Sequence, residues 1–133
     1  MAGTGIVLER LDHLVLTVRD IEATCAFYEK VLGMTRRSFA EGRVALHYGP
    51  HKINLHPHPT PIDLVAKHPL PGTADLCFVA ATPLAGVIAH LEACGVPVEL
   101  GPIATTGAQG PMTSVYFRDP DDNLIEVSNY GAD

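Results

Sequence analysis

A chain of 133 residues, 47% hydrophobic and with a formal net charge of −6, has the size and composition of one globular domain. The acidic balance, with no block of Lys or Arg, argues against nucleic acid or an anionic membrane as partner. Cys25, Cys77 and Cys94 lack C-x-x-C spacing and sit among apolar neighbours, which reads as buried, reduced thiols in a cytoplasmic protein. No secretory leader is visible in Met1–Gly5, and no apolar run approaches the ~18 residues that span a bilayer.

In chain order, His13–Val18 is a β-branched and aliphatic run that predicts a first strand. Asp20 is a good helix N-cap. Ile21, Cys25, Tyr28 and Leu32 then fall on one helical face, and Gly33 supplies the left-handed residue that ends the helix. Met34–Phe39, Val44–Tyr48 and Lys52–His56 read as three further strands. Five prolines in 57–72 forbid a helix interior or central strand, so this stretch is expected to be a stiff linker or surface loop.

The pattern then repeats. Asp75 lies 62 residues after His13, and Gly95 lies 62 after Gly33. Thr82-Pro83 predicts a capped helix start with proline in the first turn. Leu84, Val87, Ile88 and Leu91 form the buried face of the second helix. Val98–Leu100 reads as a short strand and Gly101–Met112 as a Gly/Thr/Ala loop. Ser114–Arg118 and Leu124–Asn129 read as strands joined by a tight turn at Asp119–Asn123. The Gly-rich loop lacks a G-K-[ST] ending and precedes a strand, so it is no phosphate loop. No Gly-x-Ser-x-Gly motif appears, which disfavours nucleophilic hydrolysis. The expected organisation is a single domain: module one at about 8–56, the linker at 57–72, and module two at about 73–130.

Strand alternation puts Asn54 and His56 on one face, and Leu124, Glu126 and Ser128 on another. A carboxylate inside the apolar run around Glu126 calls for a cation, a metal or a donor, unless that face is solvated. His13 opens an apolar strand, His56 ends one, and Asp75 holds in the second copy the place of His13 in the first. Imidazoles and carboxylates in such a cluster can hold a divalent metal with positions left open. Structural roles as strand-end hydrogen-bonding residues are the competing reading. His47 can line a cavity. His51, His58 and His68 fall in turns or proline-rich sequence, and His90 is expected to face outward.

These strings resemble the vicinal-oxygen-chelate superfamily, which includes glyoxalase I, bleomycin-resistance proteins and extradiol dioxygenases. The resemblance rests on Leu11–Val18, on Phe27–Met34 (F-Y-x-x-V-L-G-M) and on Tyr116–Val127 (with D-P-D-x-N-x-I-E). Within it, Lys52–His56, Thr106–Pro111 and Glu126–Tyr130 are similar to the glyoxalase domain-containing protein 5 branch. The resemblance implies an α+β fold: two βαβββ modules forming a curved mixed sheet cup, each with a helix on the outer face. It implies a divalent metal (Zn, Ni, Mn or Fe) held by His13, by His56 or Asn54, by Asp75 and by Glu126. The glyoxalase I pattern has a carboxylate in the last strand of the first module, where this chain offers Asn54 or His56, and Asp122 stands where the turn usually has glycine.

The implied partners are a small-molecule substrate and a second copy of the chain, the site being shared between subunits. The activity expected is isomerase or lyase chemistry of the glyoxalase type, with metal-bound Glu126 moving the proton. An extradiol dioxygenase is one alternative. A non-catalytic small-molecule binder is another, disfavoured for large planar drugs by the absence of Trp.

Overall fold

The computed structural model describes residues 5–131; residues 1–4, within the stretch searched for a leader, and 132–133 lie outside it. The elements run β1 (His13–Val18), α1 (Ile21–Leu32), β2 (Thr35–Phe39), β3 (Arg43–Tyr48), β4 (His51–Pro57), then β5 (Asp75–Val79), α2 (Leu84–Ala93), β6 (Leu100–Gly107), β7 (Gly110–Arg118) and β8 (Leu124–Tyr130). They form two four-stranded sheets of identical topology, β1-β4-β3-β2 (sheet A) and β5-β8-β7-β6 (sheet B). In each, the first and last strands of the module pair in parallel and the other neighbours are antiparallel. Both modules are therefore βαβββ units, as expected of this α+β fold.

Local sequence explains the helix boundaries. The Asp20 carboxylate accepts from the Ala23 N–H at 3.0 Å, filling one of the free donors at the start of α1. Gly33 at φ 69° ends that helix and returns its N–H to the Glu29 carbonyl. The second helix starts differently from expectation. Pro83 is its N-cap and no side chain caps it; Thr82 instead offers its carbonyl to Asn129 Nδ2 at 3.0 Å.

The stretch expected to be a loop, Gly101–Met112, is a β-hairpin. Glycine count weighed against a strand, but the side chains of β6 alternate in burial, with Ile103 and Thr105 half-buried between exposed neighbours. Gly101 sits where the β6–β7 register shifts, at φ +114°; a Cβ there would stand 2.5 Å from the Ser114 carbonyl oxygen. It marks a bulge between closely spaced strands.

One core joins the modules. Leu16, Val18, Leu46, Ile53 and Leu55 of sheet A share it with Tyr28 of α1, Leu91 of α2, and Val115, Phe117, Ile125 and Val127 of sheet B. Rings cross the seam: Tyr48 meets Phe78 edge-on at 5.5 Å, and Phe27 lies 6.4 Å from Phe117. The two modules also meet at a buried polar contact. Tyr28 Oη donates to Asp119 Oδ2 at 2.6 Å, and the same carboxylate accepts from the backbone N–H of Asp121 and Asn123 and from Asn123 Nδ2. Asp122 in that turn takes the left-handed conformation, φ 63°, that a glycine would otherwise supply. Among the described residues no helix is long and apolar enough to cross a membrane.

Candidate functional site

Register separates a core-facing side from an open side on each sheet. In sheet A, Leu14 pairs with Ile53 and Leu16 with Leu55 on the core side; Val15 pairs with Asn54 and Thr17 with His56 on the other. In sheet B, Leu76–Ile125 and Phe78–Val127 face the core, while Cys77–Glu126 and Val79–Ser128 face away. All four candidate ligands lie on these open sides.

The two faces match position for position. His13 lies two residues before Val15, which pairs with Asn54; Asp75 lies two residues before Cys77, which pairs with Glu126. Each module thus presents a diagonal pair, His13/Asn54 and Asp75/Glu126, of the kind whose side chains can reach one another. Asn54, rather than His56, is the counterpart of Glu126. His56 lies four residues past Lys52, the partner of His13, roughly 13 Å along the strand at the usual rise.

His13 and His56 also line different cavities. His13 borders one of about 530 Å³ with Leu14, Tyr48, Lys52, Cys77 and Phe78. His56 borders one of about 260 Å³ with Val15, Thr17 and the linker residues Val65, Pro69 and Leu70. The proline-rich stretch is therefore more than a spacer, because it walls a cavity against sheet A. Among the described residues, no three His, Cys, Asp or Glu side chains gather closely enough to hold a metal. Register puts His13 and His56 on the open side of sheet A, and Asp75 and Glu126 on that of sheet B.

Hydrogen bonds decide what each side chain has left to offer. Asp12 Oδ1 lies 2.8 Å from His13 Nδ1, which places the ring proton there and leaves Nε2 free, the arrangement by which carboxylates orient metal-binding histidines. That contact holds the Asp12 carboxyl below its usual range. Asn54 is buried, and its Oδ1 has no hydrogen-bond partner. Glu126 Oε2 accepts from Ser128 Oγ at 3.2 Å; Ser128 is linked at 2.6 Å to Ser114, and Ser114 at 2.6 Å to Thr105. Cys77 Sγ also touches Ser128, at 3.4 Å. Cys77 is exposed on this face rather than buried as its apolar neighbours suggested, because alternation turns it away from the core. Cys94 is half-buried and only Cys25 is fully buried.

His56 is 4% exposed, and its Nε2 lies 3.2 Å from Arg43 Nη2. The guanidinium can only donate, so Nε2 accepts and Nδ1 carries the proton. Burial first, then the Arg43 cation, push the His56 pKa down, which keeps the ring neutral. His47 is pushed down the same way, by burial and then by Arg37 and Lys52. His90, expected to face outward, is exposed but its Nε2 lies 3.1 Å from the Lys30 carbonyl oxygen of the other module's helix.

Sequence reasoning missed three features: the Tyr28–Asp119 bond, the serine–threonine chain behind Glu126, and Arg43 beside His56. Only the second had a local signal, the alternation of Glu126 with Ser128.

Comparison with known proteins agrees with this architecture. Residues 10–127 match the Glyoxalase/Bleomycin resistance protein/Dioxygenase superfamily. Virulence protein STM3117 of Salmonella typhimurium is 46% identical over 125 residues, covering 94% of this chain and 87% of that protein. Its crystal structure superposes with a TM-score of 0.93 over 95% of this chain and 100% of the other. Glyoxalase domain-containing protein RDO1 of Mycosarcoma maydis is 48% identical over 120 residues, 90% of this chain and 68% of that one. The structure of lactoylglutathione lyase from Agrobacterium tumefaciens gives a TM-score of 0.71 at 25% identity, over 92% and 95% of the two chains. The chain belongs to the Glyoxalase/Bleomycin resistance protein/Dioxygenase superfamily.

Proposed function

We propose that this protein is a small-molecule metalloenzyme of the glyoxalase type, acting as a metal-dependent lyase or isomerase, of the glyoxalase domain-containing protein 5 branch. The observation that carries the reading is the pair of register-equivalent diagonals, His13/Asn54 and Asp75/Glu126, on the open faces of two identical sheets. Their unsatisfied atoms fit a metal: His13 offers Nε2, and Asn54 offers a buried oxygen without a partner. Imidazole, amide oxygen and two carboxylates form a donor set suited to a divalent Mn, Fe, Ni or Zn ion. The two groups do not meet within one chain. A homodimer that sets the open face of sheet A against the partner's sheet B completes the set.

A bound divalent ion would polarise two substrate oxygens. Glu126 moves the proton between substrate carbons, held by Ser128 so that one oxygen stays aimed outward. The similarity to a lactoylglutathione lyase supports this reaction class over ring cleavage. A second reading, binding without chemistry, is favoured by the largely apolar lining of the 530 Å³ cavity, with Leu14, Leu32, Met34, Tyr48 and Phe78.

Metal analysis separates the two. Protein purified without imidazole is expected to hold close to one Mn, Fe, Ni or Zn per chain, to elute as a dimer, and to lose the metal in Glu126→Ala. A metal-free wild type that takes up no added metal would sink the enzyme reading.

A further inference from the structure

We propose that His90, Cys94 and the main-chain oxygen of Lys30 form a separate metal site, which takes a thiophilic divalent ion of the zinc class and clamps the two helices together. The site lies between α1 and α2, away from the open sheet faces, and stands independently of the glyoxalase-type reading. His90 falls in the last turn of α2 and Cys94 is its C-cap. Their spacing of four residues stacks two side chains on one helical face. Lys30 belongs to the last turn of α1, in the other module. There the Gly33 N–H goes to the Glu29 carbonyl and the Met34 N–H to that of Tyr28. Met34 would be the main-chain donor to Lys30 if the helix continued, so the Lys30 carbonyl is one of the free acceptors at the helix end. That end carries partial negative charge, which favours a cation.

Three donor atoms converge here. His90 Nε2 lies 3.1 Å from the Lys30 oxygen, and Cys94 Sγ lies 3.5 Å from that nitrogen and 4.0 Å from the oxygen. The point equidistant from these three atoms is about 2.1 Å from each, which is a zinc–ligand bond length. Hydrogen bonding alone uses the same atoms poorly. Once the imidazole gives its Nε2 proton to Lys30, the thiol faces a nitrogen that can no longer accept and an oxygen too distant for a strong bond. An ion that replaces both protons serves all three atoms at once. They are within reach of solvent, since His90 is exposed and Cys94 half-buried. Thiolate with imidazole selects zinc and its softer relatives over magnesium or calcium, and water fills the fourth position. Only two side chains contribute, so the site falls outside the groups of three or more His, Cys, Asp or Glu, of which the described residues hold none. Because Lys30 lies in module one and the other two in module two, a bound ion ties α1 to α2 and stabilises the folded state.

Cobalt titration of the metal-free, reduced full chain tests the site, because a cobalt–thiolate bond gives a near-ultraviolet charge-transfer band that imidazole and carboxylate ligands do not. Wild type is expected to develop this band to saturation at one equivalent, and zinc is expected to displace it. Cys94→Ser should abolish the band; Cys94→Ala decides the point if that variant fails to fold. His90→Gln should weaken cobalt by more than about 100-fold, beyond the loss of a merely supporting group. Cys77→Ser and Glu126→Ala should leave the band intact, which sets the site apart from the open face of sheet B. In the Glu126→Ala background, zinc at 100 times its dissociation constant should raise the melting temperature by about 5–15 °C, and adding Cys94→Ser should remove that shift. No band in folded, reduced wild type, a band that survives Cys94→Ser, or full affinity in His90→Gln (capture by a thiol alone) would each overturn the proposal. An absent band with metal retained through Glu126 removes this inference alone; the band with no metal dependent on Glu126 removes the enzyme reading alone.

Discussion

The two modules share topology, register and helix placement, yet their open faces differ chemically. Sheet A presents cations, an orphaned amide oxygen and a neutral imidazole. Sheet B presents Asp75 and Glu126, backed by a chain of hydroxyls. Their last hairpins differ as well. Module one closes β3 to β4 with Gly49 and Pro50 alone, while module two uses Asp119–Asn123, whose first carboxylate reaches across to Tyr28. A duplicated scaffold thus keeps its core constraints and lets its open faces diverge, because packing fixes only the core-facing half of each strand.

The largest effect is expected where the modules are joined. Asp119→Ala would leave the Tyr28 hydroxyl, two backbone N–H groups and the Asn123 amide without their acceptor, all of them buried. A loss of about 3–5 kcal/mol in urea unfolding is expected, as for breaking a buried charged network. Tyr28→Phe removes one of the four bonds and should cost about 1–3 kcal/mol. Equal, small losses from both would mean that the shared apolar core alone joins the modules. Burial and the facing Asp119 also push the Tyr28 hydroxyl far above its ordinary pKa, so its proton stays in place as donor.

Sheet B's distinctive chain gives the next effect. Ser128→Ala removes the donor to Glu126 and strands Ser114 between fewer partners. Metal affinity is expected to fall about 10- to 100-fold, the usual result of losing a residue that orients a ligand. Folding stability should fall by only about 1 kcal/mol. Calorimetric metal titration beside a thermal melt checks both. A melt that collapses while metal affinity holds would make the hydroxyl chain a structural cross-strand ladder and erase this contrast with sheet A.

How much of this was legible in the sequence follows from how local each signal is. The repeat of Asp75 on His13 and Gly95 on Gly33 gave the two modules, since helix caps and strand alternation act over a few residues. The faces of Asn54, His56 and Glu126 were legible for the same reason. The β6–β7 hairpin was hidden by glycines that a bulge and close strand approach require. Tyr28 and Asp119 stand 91 residues apart, and no periodicity links them. Arg43 was visible as a charge on a strand, but its lack of an acidic partner is a property of the whole fold. That Asn54 and not His56 is the register counterpart of Glu126 follows from the pairing of β1 with β4, which strand spacing alone does not supply.

The smallest effect lies in the same hairpin and runs against intuition. Asp121 is 3% exposed; it accepts from the Arg19 N–H at 3.3 Å, and the Arg19 guanidinium approaches within 3.8 Å. Burial outweighs these contacts and raises its pKa above the ordinary 3.8. A carboxyl with a raised folded pKa binds its proton more tightly folded than unfolded. Stability therefore falls as pH rises from about 3.8 through the folded pKa, and the deficit is fully present at neutral pH. Asp121→Asn keeps an oxygen for the Arg19 N–H and removes the charge. It should melt at the same temperature as wild type or slightly higher at pH 7, and the difference should shrink toward zero as pH drops below 4. A variant that melts well below wild type at pH 7 would show that the Arg19 contact outweighs burial. The Asp121 charge would then belong, with Asp119, to the polar seam that module two makes and module one lacks.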